Sequence, residues 1–137
     1  MEESTEKVAP GTFGATGRRK EAVCHVTLKP GRGDVQINGL PKEKYLCREV
    51  LIRVITEPLE AADMAGRLDI TALACGGGVS GQAGAMRLAI ARALIKFNPE
   101  LRSAMKKGGY LTVDERKVER KKYGRPKARK RFQFSKR

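Results

Sequence analysis

The chain has 137 residues, with 29 Lys+Arg against 15 Asp+Glu and a formal net charge of +14. That length predicts one domain, and with aromatics at 5% and no Trp its core must be aliphatic. No window approaches the roughly 18 apolar residues of a membrane span. The acidic Met1-Glu2-Glu3 start lacks a secretory h-region. Three widely spaced cysteines (Cys24, Cys47, Cys75) make no disulfide framework and fit a reducing compartment.

Residues 1–17 are acidic and rich in Gly, Thr and Ser, which predicts a disordered leader. From Arg18 a domain is expected to run to residue 113. Ala22, Cys24, Val26 and Leu28 alternate with Val23, His25 and Thr27, the period of a strand. Pro30-Gly31-Arg32-Gly33 turns the chain, and alternation resumes over Asp34 to Asn38. The economical expectation is a hairpin of these two strands.

Residues 42–64 carry helical periodicity through Leu46, Val50 and Val54, with Leu51 and Ile55 beside them. Pro58 predicts a break, giving one helix to about Thr56 and a short second one to about Ala65. Leu68 to Cys75 predicts a third strand, and its apolar residues at both parities predict burial on both faces. A helix should follow from about Ser80 to Phe97, with Met86, Ile90 and Leu94 anchoring its buried stripe. Arg87, Arg92 and Lys96 should emerge at its margins. Asn98-Pro99 supplies an N-cap and a first-turn proline for a short helix ending at Gly108-Gly109.

Gly76-Gly77-Gly78-Val79-Ser80-Gly81 matches G-x-G-x-x-G between a strand and a helix. It follows the third strand rather than the first, in a chain too short for a doubly wound dinucleotide domain. The glycines more simply let a tight turn approach something closely. Helix N-terminal amides also suit phosphate, including an RNA backbone. Gly77, Gly78, Ser80 and Gln82 are therefore candidate RNA contacts. His25 and Cys24 are consecutive strand residues on opposite faces, so they form no nucleophile–base pair. One histidine and three scattered cysteines also lack zinc-site spacing. No catalytic residue, metal, cofactor or small-molecule substrate is expected.

The strongest signal is the tail. Residues 116–137 hold 12 Lys/Arg and one acid, Glu119. Such a segment repels itself and has little apolar surface to bury. A polyanion reverses that cost through counterion release. No amphipathic helix favours a membrane surface. The tail, taken as 114–137, offers Arg116, Arg120, Lys121, Lys122, Arg125, Lys127, Arg129, Lys130 and Arg131 as phosphate contacts. Tyr123, Phe132 and Phe134 are spaced to stack on bases. Arg18, Arg19 and Lys20 form a second basic patch on the body.

These residues carry a resemblance. Gly17-Arg18-Arg19-Lys20, Gly76-Gly77-Gly78, Ser80-Gly81-Gln82-Ala83-Gly84-Ala85, Arg92-Ala93-Leu94, Val118-Glu119-Arg120-Lys121-Lys122 and Ser135-Lys136-Arg137 stand in order and at the right spacing. Together they resemble the universal S-nine family of small-subunit ribosomal proteins, of bacterial type, from about Gly17 to Arg137. The resemblance implies a single small α/β (α+β) domain: a β-hairpin plus a third strand, packed helices, a left-handed βαβ crossover and an extended basic C-terminal tail. It implies a structural constituent of the small-subunit head that binds small-subunit ribosomal RNA beside neighbouring head proteins. By position it makes Ser135, Lys136 and Arg137 the contacts to peptidyl-site tRNA. Two departures stand out: Cys24-His25 where the family often has Ala-Arg, and Leu46 where an aromatic usually follows the tyrosine.

The reading is a non-enzymatic ribosomal protein of the cytoplasm, with an organelle ribosome left open. The competing reading is a free RNA-binding or RNA-chaperone protein, which composition alone does not separate from it.

Overall fold

The structure, a computed structural model, describes residues 11–135. The first ten residues of the expected leader, with Lys136 and Arg137, lie outside the described residues. In chain order come β1 (Phe13–Arg19), β2 (Ala22–Pro30), β3 (Val35–Ile37), β4 (Leu40–Pro41), α1 (Lys42–Leu46), α2 (Glu49–Ala61), β5 (Leu68–Cys75) and α3 (Val79–Phe97). A 3₁₀ turn over Pro99–Leu101 then leads into α4 (Arg102–Lys107).

The strands form one mixed sheet in the order β1-β2-β5-β3-β4. β1 and β2 make an antiparallel hairpin, β5 runs antiparallel to β2, and β3 runs parallel to β5. Parallel neighbours need a crossover, and α1 with α2 supplies it. The result is one small α/β domain with helices against one face of the sheet. Ala22, Cys24, Val26 and Leu28 are fully buried on that face, as alternation demands. Burial pushes the Cys24 thiol up to about 12, so it stays a neutral apolar filler. Met86, Ile90 and Leu94 of α3 seal the core from the helical side.

α3 lies so close to β1 that residue 17 must be glycine. A Cβ there would run into the Ala85 carbonyl and come within 2.6 Å of the Ala89 amide nitrogen. Arg92 and Lys96 do leave the core at the helix margin, and both then donate to backbone carbonyls of β1. Arg92 reaches Thr16 at 2.8 Å and Lys96 reaches Gly14 at 2.7 Å. The expected cap is in place too, with Asn98 Oδ1 accepting from the Glu100 amide at 3.1 Å.

Four expectations are corrected. The strand β1 begins at Phe13, inside the segment expected to be leader. It forms because β2 pairs along its whole length and because α3, far along the chain, seats on Gly17. The hairpin partner of β2 is therefore β1, not β3, and β5 is inserted between β2 and β3. Asp69 of β5 explains the route: its Oδ1 accepts from the amides of Arg32, Gly33 and Asp34, drawing that loop toward β5.

The helical break falls at Cys47, in the left-handed region at φ 57°, while α2 runs through Pro58. Pro58 sits in the last turn and is fully buried, so packing offsets the one lost amide bond. Finally, β5 is buried on one face only. Leu68, Ile70, Ala72 and Ala74 point inward, while Leu73 is 61% exposed because, among the described residues, no layer covers the outer face.

Candidate nucleic-acid interface

The hairpin turn between β1 and β2 carries Arg18, Arg19 and Lys20, with Lys20 left-handed at φ 53°. It meets the glycine turn that joins β5 to α3. A Cβ at Gly76 would strike the Glu21 carbonyl, and one at Gly77 would lie 3.1 Å from the Ala22 amide nitrogen. The close approach that these glycines allow is thus to the protein's own hairpin. The consequence is a single end of the domain where Arg18, Arg19, Lys20, Gly77, Gly78 and Ser80 gather. Segments some 60 residues apart in sequence meet there.

At this end α3 presents its first turn without a side-chain cap and without an acid. Its free amides and the positive end of the helix dipole favour an anion. Gly78 and Ser80 are exposed beside them. Gln82 is not. It is 8% exposed, its Nε2 donates to the Gly76 carbonyl at 3.1 Å, and its Oε1 accepts from the Tyr45 hydroxyl. Tyr45 in turn accepts from Asn38 Nδ2 at 3.3 Å, and Asn38 bonds both backbone groups of Ala74. The Gln82 side chain is therefore a strut that fixes the glycine turn, with both its polar atoms engaged inside the chain. Asn38 and Tyr45 belong to the same frame and were not legible as such, because their partners are distant in sequence.

On the neighbouring flank a cleft of about 210 Å³ is lined by Arg18, Arg19, Arg87, Tyr110 and Asp114, among others. Arg19 lies across α3 at Gly84, in space a Cβ would fill. Arg87 stacks 4.7 Å over the Tyr110 ring and pairs with Glu57 at 3.3 Å. This is a solvated pair near a ring, so it orients Arg87 more than it stabilises the fold. The tail departs here. Arg116 grips Asp114 through Nε and a terminal nitrogen, at 3.0 and 2.8 Å. That grip, with the Arg116 amide, holds the Asp114 carboxyl well below the usual carboxylate range.

Beyond it the tail is a ribbon of cations. Arg116, Arg120, Lys121, Lys122, Lys127, Arg129, Lys130 and Arg131 are exposed, and Arg125 is half-buried. Tyr123, Phe132 and Phe134 are 98%, 70% and 86% exposed. Ser135 is exposed at the last described position. Among the described residues no group of three His, Cys, Asp or Glu side chains is placed to hold a metal. His25 sits on the outer sheet face with Nδ1 3.2 Å from the Thr16 hydroxyl.

A basic end, an uncapped helix start and a polycationic ribbon describe a surface for a phosphate backbone. The model of the family described as ribosomal protein S9/S16 matches residues 17–137. The chain belongs to that family. It is also similar to two proteins named small ribosomal subunit protein uS9, from Anaeromyxobacter sp. (strain K) and Anaeromyxobacter dehalogenans (strain 2CP-1). Each is 57% identical over 121 residues, covering 88% of this chain and 93% of the relative. Membership makes the chain a ribosomal protein of the small subunit and of bacterial type, with a structural, non-enzymatic part in translation. The G-x-G-x-x-G string forms the turn from β5 into the start of α3.

Proposed function

We propose that the chain binds small-subunit ribosomal RNA in the head of the subunit, in the bacterial cytoplasm. The body, from 18 to 113, grips RNA through Arg18, Arg19, Lys20, Gly77, Gly78 and Ser80. The tail, from 114 to 137, neutralises phosphates through Arg116, Arg120, Lys121, Lys122, Arg125, Lys127, Arg129, Lys130 and Arg131. Its last residues, Ser135, Lys136 and Arg137, reach the backbone of peptidyl-site tRNA, and neighbouring head proteins flank the body. The observation that carries this reading is the meeting of hairpin turn, helix start and tail root at one end of the domain.

Two measurements test it. The chain should sediment with small subunits and remain bound in moderate salt; free protein in those fractions would favour a free RNA-binding or chaperone role. Subunits carrying a chain that ends at Phe134 should assemble normally but bind peptidyl-site tRNA more weakly. Unchanged tRNA affinity would remove the tRNA contact from the reading.

A further inference from the structure

Residues 116–137 hold one acid, Glu119, among their cations, and charge counting gives no reason for it. A carboxylate in a polyphosphate-binding ribbon subtracts from counterion release. Glu119 is nevertheless doubly engaged. Its Oε1 accepts from Lys122 Nζ at 2.8 Å and its Oε2 from Arg129 Nε at 2.9 Å. The second bond spans ten residues and closes the segment 119–129 into a loop. Within that loop Gly124 turns the chain at φ 71°, and Arg125, Pro126 and Ala128 are half-buried. The residues on either side of the loop, 115–118 and 130–135, are all exposed. Tyr123 stands beside the turn with its ring 98% exposed.

We propose that Glu119 is a positioning residue for RNA binding, clamping 119–129 into a loop that offers Tyr123 to an unpaired base and Lys121 and Lys127 to the flanking phosphates. This rests on the RNA-binding reading above. The physical gain is preorganisation. A loop already closed loses less conformational freedom on binding than an open chain. An exposed ring is sequence-tolerant as a stacking platform, since every base has a π-face. Hydrogen bonds from Lys122, then Arg129, hold the Glu119 carboxyl down to about 2, so the clamp persists into acid where a free glutamate would be protonated.

The test sets charge against shape. Glu119→Gln and Glu115→Gln each raise the net charge of the full chain by the same amount. Binding of each to a small-subunit ribosomal RNA transcript is measured by titration at fixed ionic strength. Counterion counting alone makes both bind at least as tightly as the parent. The clamp makes Glu119→Gln about three- to tenfold weaker than Glu115→Gln, through lost preorganisation. The charge swap Glu119→Arg with Arg129→Glu rebuilds the pair at unchanged net charge and should recover most of that loss. Glu119→Gln binding as tightly as Glu115→Gln would overturn the clamp. A second arm needs no RNA: NMR of the free full-length chain should show contacts between the Glu119 and Arg129 side chains that vanish in Glu119→Gln. Their absence from the parent would overturn the clamp as well. Failure of the parent to bind the transcript would instead overturn the RNA-binding reading, leaving the loop to be judged by NMR.

Discussion

The body and the tail use the same residue types to opposite ends. In the body, Phe13 and Phe97 meet edge to face at 5.3 Å and help close the core. In the tail, Tyr123, Phe132 and Phe134 bury almost nothing within the chain. Arginines in the body are tied to their own fold: Arg92 holds the edge of β1 and Arg87 stacks on Tyr110. Arginines in the tail outnumber any acid that could hold them. The difference teaches that the body is stabilised from inside by aliphatic burial, whereas the tail leaves its rings and most of its cations exposed.

The sharpest way to break that contrast is to cut it. A chain ending at residue 115 should keep the cooperative thermal transition of the parent while losing most of the salt dependence of RNA binding. With six to ten phosphate contacts the parent should lose about 10³–10⁵ in affinity between 50 and 200 mM salt, and the shortened chain far less. Equal salt slopes would place the phosphate contacts on the body. In the other direction, Ile90→Ala should cost about 2–5 kcal/mol of folding stability by denaturant unfolding, since the site is fully enclosed. The salt slope of RNA binding by the folded fraction should not move.

A smaller effect tests the strut. Gln82→Ala leaves the Tyr45 hydroxyl and the Gly76 carbonyl without their partner and should cost about 1–3 kcal/mol. If stability held and RNA affinity alone fell, Gln82 would return to the contact set. The smallest effect lies in pH. The backbone amide of Asp34, then those of Arg32 and Gly33, holds Asp69 below its ordinary value of 3.8. A carboxylate depressed in the folded state contributes stability that is complete above its ordinary value and is lost as pH falls from there through its lower folded-state value. Asp69→Asn should therefore lower stability at neutral pH and flatten the acid limb below about pH 4. An unchanged acid limb would show that the 32–34 loop is held by other means.

What could be read in advance follows the same division. α3 was legible to within a residue of its start, because nineteen residues of helical patterning outweigh local detail. β5 and the Asn98 cap were legible because both signals are local. β1 was not. Phe13-Gly14-Ala15-Thr16-Gly17 has the composition of a leader, and only pairing to β2 and the seat of α3 make it a strand. The strand order was hidden for a related reason, since Asp69 steers a loop 35 residues before it. Pro58 was over-read because its burial outweighs its missing donor. The exposed cations of the candidate interface were visible in the sequence, since charge shows without a fold. Their assembly at one end was not, and the buried role of Gln82 was invisible for want of its partners.

The seat of α3 on Gly17 also bears on how the chain comes off the ribosome that makes it. β1 and β2 can pair as soon as they emerge, but their inner face stays uncovered until some 70 further residues have been added. The last elements needed to close the core are thus α3 and α4, whose Met105 is fully buried, and the cationic ribbon follows them in chain order. Domains generally fold as units during synthesis, N-terminal parts first. Among the described residues every strand and helix of the body is thus synthesised before the segment densest in cations.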